Sequence, residues 1–142
     1  MSSLWRVTPT LEQLNAAHGN TILAQLGIEF TEVGEDFLKA RMPVDARTHQ
    51  PYGLLHGGAS VVLAESMGST ATYLNIDPEK FSAVGIEVNA NHVRAVKSGW
   101  VTGTVRPLHV GRSTQLWDIR IEDEAGKLVC VSRLTVAVIP KS

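Results

Sequence analysis

The sequence is most informative first in what it lacks. No apolar run approaches the roughly 20 residues that a membrane span needs, and hydrophobic residues at 44% with charged residues at 19% lie in the ordinary globular range. A soluble globular protein is therefore expected. Thirteen basic residues against fourteen acidic ones leave a net charge of -1, so there is no positive field to hold a nucleic acid backbone. One cysteine, Cys130, excludes an intramolecular disulfide; it falls within an apolar alternating stretch and reads as a buried strand residue in a reducing compartment. The start, Met1-Ser2-Ser3-Leu4-Trp5-Arg6, has no basic segment followed by an apolar stretch and a small-residue cleavage site, so no export is expected and the cytoplasm is the expected location. Phosphate-binding loops of the Walker or dinucleotide type are missing, as is any histidine-carboxylate or cysteine cluster with metal-ligand spacing; neither a metal nor a cofactor is expected. There is no internal repeat, low-complexity tract or Pro/Gly-rich linker, so residues 1–142 are expected to form a single domain.

The order of the elements carries more. Thr10 and Gln13 have capping-box spacing, and Leu11, Leu14 and Ala17 keep an apolar face, which predicts a short helix ended by Gly19-Asn20. Thr21 to Leu26 reads as a further helical turn stopped by Gly27. A strand then runs from Ile28 through Phe30 to Gly34, and a second, from Leu38 to about Pro43, alternates Leu38, Ala40 and Met42 with Lys39 and Arg41. From Gly57 to about Leu74 the chain is apolar or small on nearly every side, which predicts a helix buried all round. Four strands follow, over Val84–Val93, Trp100–Arg106, Leu116–Ile121 and Leu128–Ile139, separated by turn signals at Lys97-Ser98-Gly99, Gly111-Arg112 and Glu124-Ala125-Gly126. Two strands, one long helix and four strands suit an α+β fold: a curved antiparallel sheet wrapped around a central helix.

Glu65 is the anomaly of that helix, the only charged residue between His56 and Asp77. A lone carboxylate among apolar residues costs several kcal/mol unless it is compensated. Either it lies at the helix edge facing solvent or a partner, or it has a chemical task. Before the helix stands Gln50-Pro51-Tyr52-Gly53-Leu54-Leu55-His56-Gly57-Gly58, whose glycine pair lets another group approach the backbone where unpaired N–H donors and a partial positive charge favour a developing oxyanion. Gly57 is the candidate donor, against the plainer reading of a flexible loop entering a helix. Gly57 and Glu65 are eight residues apart, about 12 Å along a helix at 1.5 Å per residue. One carbonyl cannot touch both within one chain, so a site shared by two subunits with antiparallel central helices is expected. Ser69, four residues after Glu65, falls on the same helix face and could assist the carboxylate, or could simply ease helix packing.

The run Gln50 to Ser66, QPYGLLHGGASVVLAES, resembles the signature of hotdog-fold thioesterases. The similarity is to the group of bacterial aryl- and acyl-CoA thioesterases that includes 1,4-dihydroxy-2-naphthoyl-CoA hydrolase, the proofreading thioesterase of enterobactin synthesis and one branch of 4-hydroxybenzoyl-CoA thioesterases. Met42-Pro43-Val44-Asp45, Val88-Asn89-Ala90-Asn91-His92 and Pro107-Leu108-His109-Val110-Gly111 extend it along almost the whole chain. The resemblance implies an acyl-CoA thioesterase, a dimer of dimers, with Glu65 as nucleophile or general base and Gly57 N–H polarising the thioester carbonyl. It further implies that Gln50 and His56 orient the thioester, that Ser69 assists Glu65, and that His92 lies near the acyl pocket. Alternation places His92 on one strand face with Val84, Ile86, Val88 and Ala90. Met67, Phe81 and Val84 are further expected acyl contacts, and Arg94, Lys97 and Arg112 are candidate cations for the phosphates of coenzyme A, or else solvated surface charges. An acyl or aryl carrier protein is an alternative thioester donor. A hotdog enoyl-CoA hydratase or dehydratase, and a non-catalytic acyl-CoA binding module, are the rival readings.

Overall fold

The computed structural model describes residues 3–142; Met1 and Ser2, the start of the segment read above for an export signal, lie outside the described residues. Chain order is α1 (Leu11–Ala16), α2 (Ile22–Gln25), β1 (Glu29–Val33), β2 (Leu38–Pro43), α3 (Gly57–Asn75), β3 (Phe81–His92), β4 (Trp100–Val110), β5 (Thr114–Glu122) and β6 (Leu128–Pro140). The predicted capping box is present: Thr10 Oγ1 accepts from the Gln13 N–H at 3.1 Å, and Gln13 Oε1 accepts from the Thr10 N–H at 3.0 Å. Gly27 ends α2 at φ +73, a conformation that only glycine adopts at little cost.

The six strands form one antiparallel sheet in the order β1-β2-β4-β5-β6-β3, and α3 packs across it against β2 to β6. This is the α+β hotdog arrangement, a curved sheet with one central helix. No helix among the described residues is long and apolar enough to cross a membrane.

The core lies between α3 and the sheet. Leu63, Ala64, Met67 and Ala71, at helical spacing, are fully buried against Val101, Val105, Trp117, Ile119 and Leu134. Gly68 lets the Leu134 side chain come within what would be 2.5 Å of a Cβ, so helix and sheet approach closely there. Two buried polar contacts fix the rotation of the helix: Trp117 Nε1–H donates to Thr72 Oγ1 at 2.8 Å, and the Asn75 and Gln115 side-chain amides pair reciprocally at 3.0 and 2.7 Å. Each contributes about 1 kcal/mol net, and more is lost if one partner is removed and the other stays buried. Cys130 is fully buried on β6, as its alternation predicts, and burial pushes its thiol pKa up.

Three expectations are corrected. First, α3 is not buried all round. Its other side, carrying Val61, Val62, Glu65, Ser66, Ser69 and Thr70, is half-buried, and Tyr73 is exposed. Second, β4 continues past Arg106 to Val110, because a register shift between Pro107 and His109 accommodates a proline that cannot donate to the ladder. Third, β3 does not alternate evenly. A bulge between Gly85 and Glu87 leaves Ile86 unpaired and switches the parity, so Ala83 on one side of it and Val88 and Ala90 on the other pack against the core, while Val84 and Ile86 are exposed. His92 therefore shares a face with Val88 and Ala90 but not with Val84 and Ile86.

Candidate active site

The chain enters α3 through a tight loop. The His56 N–H donates to the Thr48 carbonyl at 2.8 Å, the Leu55 N–H to Val96 at 2.8 Å and the Gln50 N–H to Leu54 at 2.8 Å, with Gly53 at φ +79 making the reversal. His56 is the helix N-cap. Its Nδ1 accepts from the Gly58 N–H at 2.8 Å, so one ring nitrogen is committed to the backbone rather than to a substrate. The Ala59 and Ser60 N–H groups both donate to the His56 carbonyl. Among the described residues the Gly57 N–H alone, of the four orphan donors that open α3, has no acceptor.

His92, at the end of β3, sits against this opening: a Cβ on Gly57 would lie 2.9 Å from its Nε2. The absence of a side chain at position 57 is thus what lets the imidazole reach the helix start. A cavity of about 420 Å³ gathers Gln50, Gly57, His92 and Arg94 with Leu54, Leu55 and Ser60. The Gln50 side-chain carbonyl accepts from the Tyr52 N–H, while its Nε2 has no partner among the described residues. Four residues singled out from the sequence therefore meet at one place.

Glu65 lies elsewhere on the helix. Its side chain crosses to β3, where Oε2 occupies space that a Cβ on Gly85 would enter at 2.7 Å. The half-buried carboxylate has no hydrogen-bond or ion-pair partner among the described residues, Ser69 included. Ser69 instead lines a second cavity, of about 540 Å³, between α3 and the amino-terminal helices. Gly85 is the site residue that sequence reasoning missed. A glycine inside an alternating strand signals a bulge or a close approach, and here it marks both.

The remaining candidates do not join this cluster. Met67 is wholly buried with its thioether over Gly103, so it packs the core and does not line a pocket. Phe81 and Arg112 line a cavity of about 710 Å³ at the far end of α3, with Arg6 and Asp77. Lys97 lies in the turn before β4, its carbonyl 2.8 Å from His49 Nε2, and it borders a separate depression with Trp100 and Glu124.

Comparison with known proteins gives the family of the chain. Residues 52–130 match the thioesterase superfamily. The chain is 53% identical to the 1,4-dihydroxy-2-naphthoyl-CoA hydrolase of Escherichia coli K12 over 96% of this chain and 99% of that one. It is 52% identical to the proofreading thioesterase EntH of Cronobacter turicensis, over 96% of this chain and 98% of the relative. A solved thioesterase of Pseudomonas aeruginosa superposes with a TM-score of 0.96 at 57% identity, covering 98% of this chain and all (100%) of that one. A lone acid on a central helix, a bare N–H at the start of that helix and relatives of this kind lead to one assignment: the chain belongs to the thioesterase superfamily and is a hotdog-fold thioester hydrolase.

Proposed function

We propose that the protein hydrolyses acyl-CoA thioesters to the free acid and coenzyme A, with each site built by two copies of the chain. One observation carries the reading. The unpaired Gly57 N–H and the unpartnered Glu65 carboxylate are the two groups thioester hydrolysis needs, and they stand eight residues apart on one rigid helix, about 12 Å. A second copy with its α3 antiparallel to the first brings Glu65 of one chain opposite Gly57 of the other. Two further features support that pairing: the half-open side of α3 that carries Glu65, and the edge of β3, a twelve-residue strand that pairs with β6 on one side only among the described residues. Long unpaired edges are otherwise an aggregation hazard.

In this assembly the Gly57 N–H, strengthened by the helix dipole, donates to the thioester oxygen as it becomes an oxyanion, a contribution of about 10²–10³ in rate. Ionised Glu65 either attacks the carbonyl carbon, forming a mixed anhydride that water then opens, or takes a proton from the attacking water. In both routes the C–S bond breaks and the thiolate leaves. Gln50 Nε2 and His92 orient the thioester at the helix opening, Ser69 assists Glu65 from one turn away, and His56 acts by capping the helix that presents Gly57. Arg94 meets the phosphates of coenzyme A at the rim of the same cavity. The protein works in the cytoplasm as one folded domain per chain, in a dimer of dimers, on a coenzyme A or carrier-protein thioester.

Thiol release from benzoyl-CoA, followed with a thiol reagent, tests the reaction. Release of one thiol per acid formed is expected. A change in crotonyl-CoA absorbance without thiol release would identify a hydratase instead, and saturable binding without turnover across aryl and alkyl CoA esters would identify a binding module.

A further inference from the structure

The 540 Å³ cavity reaches α3 one turn beyond Glu65, at Ser69 and Tyr73, and its opposite wall is the turn that joins α1 to α2. That wall is fastened to the sheet. The Asn15 side chain makes reciprocal bonds with Phe30, at 3.1 Å to its carbonyl and 2.7 Å from its N–H. Leu14, Leu23, Phe30 and Leu74 make the lining predominantly apolar. Within it stands one buried ionisable side chain, His18, only 8% exposed, its ring tilted against Phe30 with the centroids 5.7 Å apart.

The hydrogen bonds of His18 fix what it offers. Nδ1 is 3.1 Å from the Ile28 carbonyl, and a carbonyl only accepts, so Nδ1 carries the hydrogen. In the neutral ring Nε2 is then the lone-pair nitrogen. Nε2 has no partner among the described residues, yet no buried side-chain nitrogen or oxygen there lacks one, so Nε2 opens onto the cavity space. An apolar chamber that reaches α3 one turn beyond Glu65, with one inward hydrogen-bond acceptor, is shaped for an apolar group that carries a donor.

We infer that this cavity receives the acyl group and that His18 Nε2 accepts a hydrogen bond from a hydroxyl on it, making His18 a specificity-determining residue for apolar acyl groups that carry a hydroxyl. The inference rests on the thioesterase reading above, and it moves the acyl contacts away from Met67 and Phe81 to the amino-terminal helices. It also accounts for the shape of the chain before β1: two short helices held against the sheet, with a histidine between them where a plain apolar residue would fill the core as well.

Binding of non-hydrolysable thioether analogues separates this inference from the reaction. Phenacyl-CoA and its three mono-hydroxyphenacyl isomers are titrated into the full-length oligomer by calorimetry, with coenzyme A as reference. At least one hydroxyl isomer is expected to bind the wild type about 5- to 10-fold more tightly than phenacyl-CoA, the size of one hydrogen bond to a buried acceptor. His18→Leu is expected to erase that ratio and leave phenacyl-CoA within about 2-fold of wild type. Ala17→Trp, an exposed position at the cavity mouth, is expected to weaken all four analogues by about 10-fold or more while coenzyme A itself binds as before. A wild type indifferent to every hydroxyl, a His18→Leu protein that keeps the preference, or an Ala17→Trp protein that binds the analogues normally would each overturn the inference. Intact selectivity in a protein that releases no thiol from any acyl-CoA would defeat the hydrolase reading and leave the assignment of His18 standing.

Discussion

The two sides of α3 are made of similar residues and do different work. The side toward the sheet carries Leu63, Ala64, Met67 and Ala71, all fully buried and held in register by the Thr72 and Asn75 contacts. The opposite side carries Val61, Val62, Glu65 and Ser69, half-covered, with an acid that has no hydrogen-bond or ion-pair partner among the described residues. On the proposed reading, a single helix built largely of apolar and small residues thus separates folding from chemistry by direction alone. The sheet side must be well packed before the other side can hold a carboxylate in a defined place.

Substitutions can break that division. Glu65→Gln should lower kcat by about 10³-fold or more, as expected when the group that attacks or activates water is replaced by a neutral isostere, with Tm unchanged. A loss of Tm equal to that of a core variant would mean that Glu65 belongs to the folding side. Leu63→Ala is the converse. It should cost about 3 kcal/mol in urea-induced unfolding, while kcat per folded site stays within a few-fold of wild type. Next in size is Gly85→Ala, since its Cβ would meet Glu65 Oε2 at 2.7 Å. The carboxylate, at the end of a flexible side chain, must move, and kcat should fall about 10- to 100-fold with KM little changed, because misplacement of a reacting group by about 1 Å has that effect. Trp117→Phe removes the donor to Thr72 and should cost about 1 kcal/mol in the same unfolding assay. The smallest effect concerns the sheet alone. Cys130, its thiol pKa raised by burial, should resist iodoacetamide at pH 8 in the native protein and react at once in urea.

The parts of this division that depend on neighbouring residues were legible in the sequence. Thr10 and Gln13 are a local capping pair, the run from Gly57 is continuous, and a lone Glu65 within it is conspicuous without any structure. What depends on pairing between distant segments was not. The bulge at Ile86 is decided by how β3 meets β6, so even alternation put Val84 and Ile86 on the face of His92 when they point away from it. Met67 reads as a pocket residue until the missing side chain of Gly103, 36 residues later, makes room for it in the core. His56 reads as a loop residue beside the glycine pair, and only the fold shows its Nδ1 capping the Gly58 N–H. His18 carried no signal at all, because its significance comes from the Ile28 carbonyl and a cavity wall supplied by α3.

The decisive measurement is subunit complementation. Glu65→Ala and Gly57→Pro chains are each made, unfolded, mixed in equal amounts and refolded, with exchange verified by mass. Proline suits the first helical position and removes the N–H in question, and the clash of its ring falls on the movable tip of His92. Random pairing makes half of the dimers mixed, each with one intact site of two, so the mixture should regain about a quarter of wild-type activity from two inactive parents. Verified mixed dimers with no activity would contradict a site in which the acid comes from one chain and the N–H donor from the other.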